Sequence, residues 1–295
     1  MQREMQAECL WPLEAELAEG PVWLAEAGML YFTDIKGQQL HAYRLATGER
    51  QSWALPTWLC WLIPRRDGDG FMAGFRDGIA RLWLSPSLRI EYLLRPHAAA
   101  PLLRLNDAKA DAHGAIWFGS MHNEDYSQRA GSLCRLDPDG SWQQASGDYH
   151  ICNGPALGLD GRVLYHNDSY LARTYAYRLD PQGRLGARQL WRQFDRPREG
   201  GPDGMTVDAD GCLWIAQWGA GRVCRYSPVG ELLATVHLPV SLPASVCFGG
   251  DGLRTLFITT AWETLSPAEL MEQPLAGSLF AVQPGVAGLP VHRYG

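Results

Sequence analysis

Six segments of this 295-residue chain share one form: an aromatic-rich apolar strand, a short polar or glycine-containing break, and a second strand alternating in period two. They start at Met29, Gly70, Ala115, Val163, Cys212 and Thr255, as in MLYFTDIKGQQLHAYRL and CLWIAQWGAGRVCRYSP. Between the equivalent aromatics Tyr31, Phe71, Trp117, Tyr165, Trp214 and Phe257 the steps are 40, 46, 48, 49 and 43 residues. Each step has room for four short strands. The first reads GPVWL, MLYFTDI, QLHAYRL and RQSWALP, with turns AEAG, KGQ and ATGE between them. Four antiparallel strands recurring at this interval predict an all-β six-bladed β-propeller, one domain over residues 1–295. A pair of β-sandwiches would not require the same aromatic at a steady spacing. The helical pattern that stands out is SPAELMEQP, Ser266–Pro274.

Composition agrees and narrows the function classes. A hydrophobic fraction of 46% is ample for a large core, and Trp 12, Gly 32 and Pro 19 suit a turn-rich β protein. The net charge is −6 with no basic run, so nothing invites nucleic acid. The start, MQREMQAECLWPLEAE, lacks a signal-peptide core, and no stretch approaches a membrane span. Seven cysteines without a CxxC pair read as small buried hydrophobes in a reducing cytoplasm. Eight histidines without paired ligand spacing give no His-based zinc site.

Polar residues recur in the repeat at one place. Glu19 lies 12 residues before Tyr31, Asn106 lies 11 before Trp117, Asn153 lies 12 before Tyr165, and Asp203 lies 11 before Trp214. In the other two repeats Leu59-Cys60 and Ser245-Val246 fill that place. The first strand of a propeller blade lines the central channel, so equivalent positions converge on the axis. Two carboxylates and two amides meeting there call for something positive among them. An all-oxygen set suits a hard divalent cation such as Ca2+, Mg2+ or Mn2+. Taken singly, each residue reads as a turn, cap or solvated loop residue; their shared register favours the site. The register also decides between two Asp-Gly pairs in GGPDGMTVDADGCLWIAQW: Asp210-Gly211 is the turn, and Asp203 belongs to the site.

EGPVW (Glu19–Trp23), RLNDAKAD (Arg104–Asp111), NGPALGLDGRVLYHNDS (Asn153–Ser169), PDGMTVDADGCLWIAQWGAGRV (Pro202–Val223) and LPASVCFGGDG (Leu242–Gly252) together resemble the SMP-30/gluconolactonase/regucalcin family. They run in the family's order along nearly the whole chain. The resemblance implies one divalent cation on the axis, held by Glu19, Asn153 and Asp203, with Ca2+ ahead of Zn2+, Mn2+, Mg2+ or Fe2+. It implies substrate contacts at Arg104, Asn106 and Glu124, the last in a loop of variable length. Pro155, beside Asn153-Gly154, and Ala244, where the family often has Thr, depart from its pattern.

The activity implied is hydrolysis of a sugar lactone to the aldonic acid, by a monomer or weak homo-oligomer. The chemistry such a cation supplies is Lewis-acid polarisation of the lactone carbonyl and a lowered pKa for water. Asp203 is the expected general base, Arg104 a fork gripping sugar oxygens, and Glu124 an acceptor for hydroxyls. Asp168 lines the same mouth or is an ordinary turn aspartate, with equal weight. Lys109, one of only two lysines, reads as structural rather than as an imine former. Trp58, Trp61 and Trp218 are sugar-stacking candidates that fit inter-blade core better. The rival readings are a non-catalytic calcium-binding propeller, a protein-recognition propeller, and a hydrolase of esters or organophosphates. Arg104 argues against the first, and the polar set Arg104, His122, Asn123 and Glu124 against the last.

Overall fold

In the computed structural model, which describes residues 3–68 and 70–295, the repeat becomes six sheets arranged blade by blade around an axis. Blades one to five each take four consecutive antiparallel strands, and their innermost strands are Ala18–Leu24, Leu59–Pro64, Leu103–Ala110, Cys152–Leu157 and Gly201–Val207. Blade six begins at Pro243–Gly249 and continues through Thr255–Thr260 and Leu279–Val282. Its outer strand comes from the other end of the chain: Glu8–Trp11 pairs antiparallel with Leu279–Val282, Trp11 opposite Leu279. A further strand, Arg3–Gln6, lies parallel on the outer edge of blade five. The ring is therefore closed by hydrogen bonds between early and late segments, which removes open sheet edges at the junction.

The sequence repeat has a packing cause. Inner and second strands are buried on both faces, so they read as apolar runs, whereas outer strands such as Arg50–Ala54 and Arg89–Leu94 are largely exposed. The core lies between blades; Val22, Leu40, Leu59, Phe71 and Phe75, for example, fill the wedge between blades one and two. The marker tryptophans Trp117 and Trp214 are fully buried. Each donates its Nε1 to the aspartate at the preceding turn, Trp117 to Asp111 at 3.1 Å and Trp214 to Asp208 at 2.8 Å. Those aspartates also accept two turn N–H groups each, so one carboxylate fixes both turn and aromatic. The expected Asp210-Gly211 turn is present, with Gly211 at φ +78°.

Helix is confined, among the described residues, to the single turn Arg196–Glu199, a 3-10 turn at Asp251–Leu253, and Pro267–Glu272. The last starts at Ser266 with a capping box to Glu269, as SPAELMEQP foretells. No helix among the described residues is long and apolar enough to cross a membrane. All seven cysteines are free thiols, six of them buried.

Candidate functional site

Every inner strand carries a β-bulge near its N-terminal end. In blades one, three, four and five, two residues of the inner strand face one of the second: the register jumps between Glu19 and Val22, Leu105 and Ala108, Asn153 and Ala156, and Pro202 and Met205. In blades two and six the extra residue is Cys60 and Ala244. For blade six this moves the equivalent place one residue from the Ser245-Val246 that counting gives. A bulge bends the strand and re-aims its side chains. Counted through the pairing, Glu19, Asn106, Asn153 and Asp203 each precede by three residues the partner of their marker aromatic. The sequence offsets of 11 and 12 are thus one structural register.

The bulges divide the axis into two cavities. One, of about 240 Å3, is lined by residues C-terminal to the bulges, among them Trp61, Lys109 and Ser245, and by Leu289–His292. The other, of about 220 Å3, lies at the N-terminal ends of the inner strands, and Glu19, Arg104, Asn106, Asn153 and Asp203 all line it. All five side chains are buried, none more than 8% exposed. Lys109 faces the other cavity, beside Asp107.

A hydrogen-bond relay runs around the wall. Arg104 Nη1 donates to Asn106 Oδ1 at 2.5 Å; Asn106 Nδ2 donates to Asn153 Oδ1 at 2.6 Å; Asn153 Nδ2 donates to Ser169 Oγ at 2.9 Å; Ser169 Oγ donates to the Pro202 carbonyl at 2.7 Å. The relay ties blades three, four and five together and fixes both amides with their oxygens defined. The acids are less well served. Asp203 Oδ1 is buried without a partner. The Glu19 carboxylate accepts from its own neighbour, Gly20 N, at 3.2 Å. Burial pushes both carboxyls well above the usual carboxylate range, and the nearby charges push further, Asp203 and Asp107 on Glu19, Asp107 and Glu263 on Asp203; Arg104 opposes both.

An orphaned oxygen and two mutually repelling buried carboxylates, all in a set of oxygen donors, fit a hard divalent cation. Among the described residues no three His, Cys, Asp or Glu side chains are gathered as a metal-binding group. The set here reaches three oxygen donors only by including the Asn153 amide.

The remaining sequence candidates fall elsewhere. Glu124 is exposed and is not among the residues lining this cavity; its N–H and that of Asp125 are tied to His122 Nδ1 at 3.3 and 2.9 Å. Asp168, 1% exposed, also lies off the cavity wall. It accepts from the N–H groups of His150 and Leu171, as Asp34 does from Leu17 and Gly37 at the equivalent place in blade one. Trp61 is core, Trp58 is half-buried between Lys36 Nζ at 4.1 Å and Arg76 at 4.9 Å, and Trp218 lines the cavity. Among the lining residues that the sequence did not single out are Tyr126, Tyr170, Arg196 and Glu263. Glu263, half-buried, follows the second strand of blade six and is anchored by its N–H to the Glu16 carbonyl at 3.1 Å. Burial raises its carboxyl, while Arg104 and Lys36 draw it down.

Comparison with known proteins returns the same region. A family model described as SMP-30/Gluconolactonase/LRE-like region matches residues 17–262. A 6-deoxy-6-sulfogluconolactonase of Pseudomonas putida is 37% identical over 95% of this chain and 96% of its own. Regucalcin of Danio rerio is 33% identical over 98% of both chains. Among solved structures, a calcium-binding protein, regucalcin, from Agrobacterium tumefaciens superposes with a TM-score of 0.93 at 26% identity, covering 99% of this chain and 98% of that one.

Proposed function

The chain belongs to the SMP-30/gluconolactonase/LRE-like family, and from that premise we propose that it opens a sugar lactone to the aldonic acid with the help of a divalent cation. The observation that carries this reading is the unpartnered Asp203 Oδ1 beside Glu19, Asn153 and Arg104 in one cavity. Glu19, Asn153 and Asp203 would hold the cation, which supplies Lewis-acid polarisation of the lactone carbonyl. Asp203, with an oxygen to spare, accepts the proton of the attacking water. Water adds to the carbonyl carbon, the ring C–O bond breaks, and the ring oxygen takes that proton back from Asp203 to leave as a hydroxyl. Arg104, fixed through Asn106, donates to the substrate's oxygens and holds the carbonyl in line. Glu263, on the cavity wall, accepts from sugar hydroxyls.

The test is a pH-indicator assay on protein stripped with a chelator and re-supplied with single divalent ions, spontaneous opening subtracted. The panel covers five- and six-membered aldono-lactones. It includes one with a C6 sulfonate, because Arg196 lines the cavity and a relative at 37% identity bears that substrate's name. Turnover that depends on the added ion and vanishes in Asp203→Asn supports the proposal; undiminished turnover in chelator overturns it. Ion binding without any lactone opening would favour a calcium-binding propeller instead, a reading that leaves a buried Arg104 beside the cation unexplained.

A further inference from the structure

Tyr170 sits in the connection after the second strand of blade four, lines the site cavity and is 43% exposed. A ring so placed is free to meet a ligand in the cavity. This one is also held still. One face stacks on His150, centroids 4.8 Å apart and planes at 21°. His150 is buried, with Nδ1 3.0 Å from Asp168 Oδ2, and the same carboxylate oxygen accepts the His150 N–H at 3.2 Å. Asp168 Oδ1 accepts the N–H of Leu171 at 3.3 Å, just beyond the tyrosine. Arg196 Nη2 donates to the Tyr170 carbonyl at 2.8 Å and to that of Ser169. Ring, following amide and carbonyl are thus each fixed by a separate group. The ordering entropy of the ring is spent before any ligand arrives.

The polar wall accounts for a sugar's oxygens, through Arg104, Asn106 and Glu263. For the C–H face of the ring the wall offers the aromatic rings of Tyr126, Tyr170 and Trp218, and of these Tyr170 is the one braced by a stacked partner, His150. We infer that Tyr170 is the platform for that face, a specificity-determining residue, with His150 and Asp168 as its positioning residues; the inference rests on the sugar-lactone reading of the cavity. Stacking on an aromatic face rewards a flat, closed ring and does little for an extended chain. Opening the lactone therefore removes the contact, so the platform favours substrate over product and eases release of the acid.

The experiment compares binding and turnover. Calorimetric titrations use 1,5-anhydro-D-glucitol, a ring polyol with no carbonyl to open, and D-glucitol, its open-chain counterpart. In Tyr170→Ala the dissociation constant for the ring polyol rises about tenfold and KM for the best aldono-lactone rises similarly. At the same time kcat stays within about twofold, and D-glucitol binding is unchanged. Tyr170→Phe behaves as wild type. Unchanged ring-polyol binding, equal losses on both polyols, or a Tyr170→Phe as impaired as Tyr170→Ala would each overturn the platform. For the positioning role, His150→Ala raises KM but adds nothing in the Tyr170→Ala background, and His150→Phe restores the wild-type value; additive losses overturn it. Wild-type protein that binds the ring polyol yet opens no aldono-lactone refutes the lactonase reading and leaves the platform standing. Lactone turnover with Tyr170→Ala unimpaired does the reverse.

Discussion

At the scale of single residues, Glu19 and Asp203 are a liability to the stability of the polypeptide by itself. Both are buried, their carboxyls are raised by desolvation and by neighbouring acids, and Asp203 Oδ1 has no hydrogen-bond partner. Removing one buried charge relieves repulsion that Arg104 offsets only in part. Glu19→Gln should therefore raise the melting temperature of chelated protein by roughly 3 °C or more at pH 8, while abolishing the further rise that a divalent ion gives wild type. Differential scanning calorimetry with and without ion reads both, and an unchanged ion response in the variant would refute the ligand role. Glu263 makes a different claim. As an acceptor for hydroxyls rather than a group that moves protons, its Gln variant should raise KM for a polyhydroxylated lactone about tenfold with little change in kcat. Glu124→Gln, altered at an exposed carboxylate off the cavity wall, should leave both constants as they are. Steady-state kinetics of the two variants side by side decides which acid serves the substrate.

At the scale of the element, the inner-strand bulges bring polar side chains to the axis, and they do so at close quarters. Gly154 shows how close: its φ is +44°, and a Cβ there would come 2.7 Å from the Asp203 carbonyl oxygen on the next blade. Gly204 faces Ser245 Oγ just as tightly. Gly154→Ala combines left-handed strain with a backbone clash and should cost about 2–5 kcal/mol in urea unfolding. It should also weaken ion affinity, since Asn153 adjoins it. The same bulges explain what could be read beforehand. The markers recur because Trp117 and Trp214 answer to Asp111 and Asp208 at fixed offsets, and Glu19, Asn106, Asn153 and Asp203 each precede by three residues the strand partner of their marker. Tyr170 and Glu263 lie beyond the second strands, in connections whose lengths differ from blade to blade. No spacing rule reaches them. Asp168 was undecidable for a related reason: its partner His150 lies on the preceding connection, joined to it only once blade four is formed.

At the scale of the molecule, acid should act through histidines off the cavity wall. His166 is fully buried in the second strand of blade four, both ring nitrogens unpartnered and its ring edge-on to Tyr149 at 4.7 Å. Burial lowers its pKa to about 3, and that of His41 to about 4. Both lie below the 6.5 of a free histidine, so their contribution is whole above pH 6.5 and is lost as pH falls from there toward 4 and 3, roughly 3 kcal/mol each by pH 4. His166→Phe should remove its share: the stability difference between wild type and variant, followed by urea unfolding, narrows or reverses between pH 7 and pH 4. A difference independent of pH would mean that His166 is not held neutral. The ring closure at blade six sets a further condition on how such a molecule comes into being. Glu8–Trp11 leaves the ribosome first among the strands of its sheet and must wait, unpaired and carrying a tryptophan, until Leu279–Val282 arrives. Five blades are already available by then, but the toroid stays an open arc. Closure requires the joining of two stretches of chain separated by almost the entire polypeptide, and the axial cavity has its full circumference only with that pairing made.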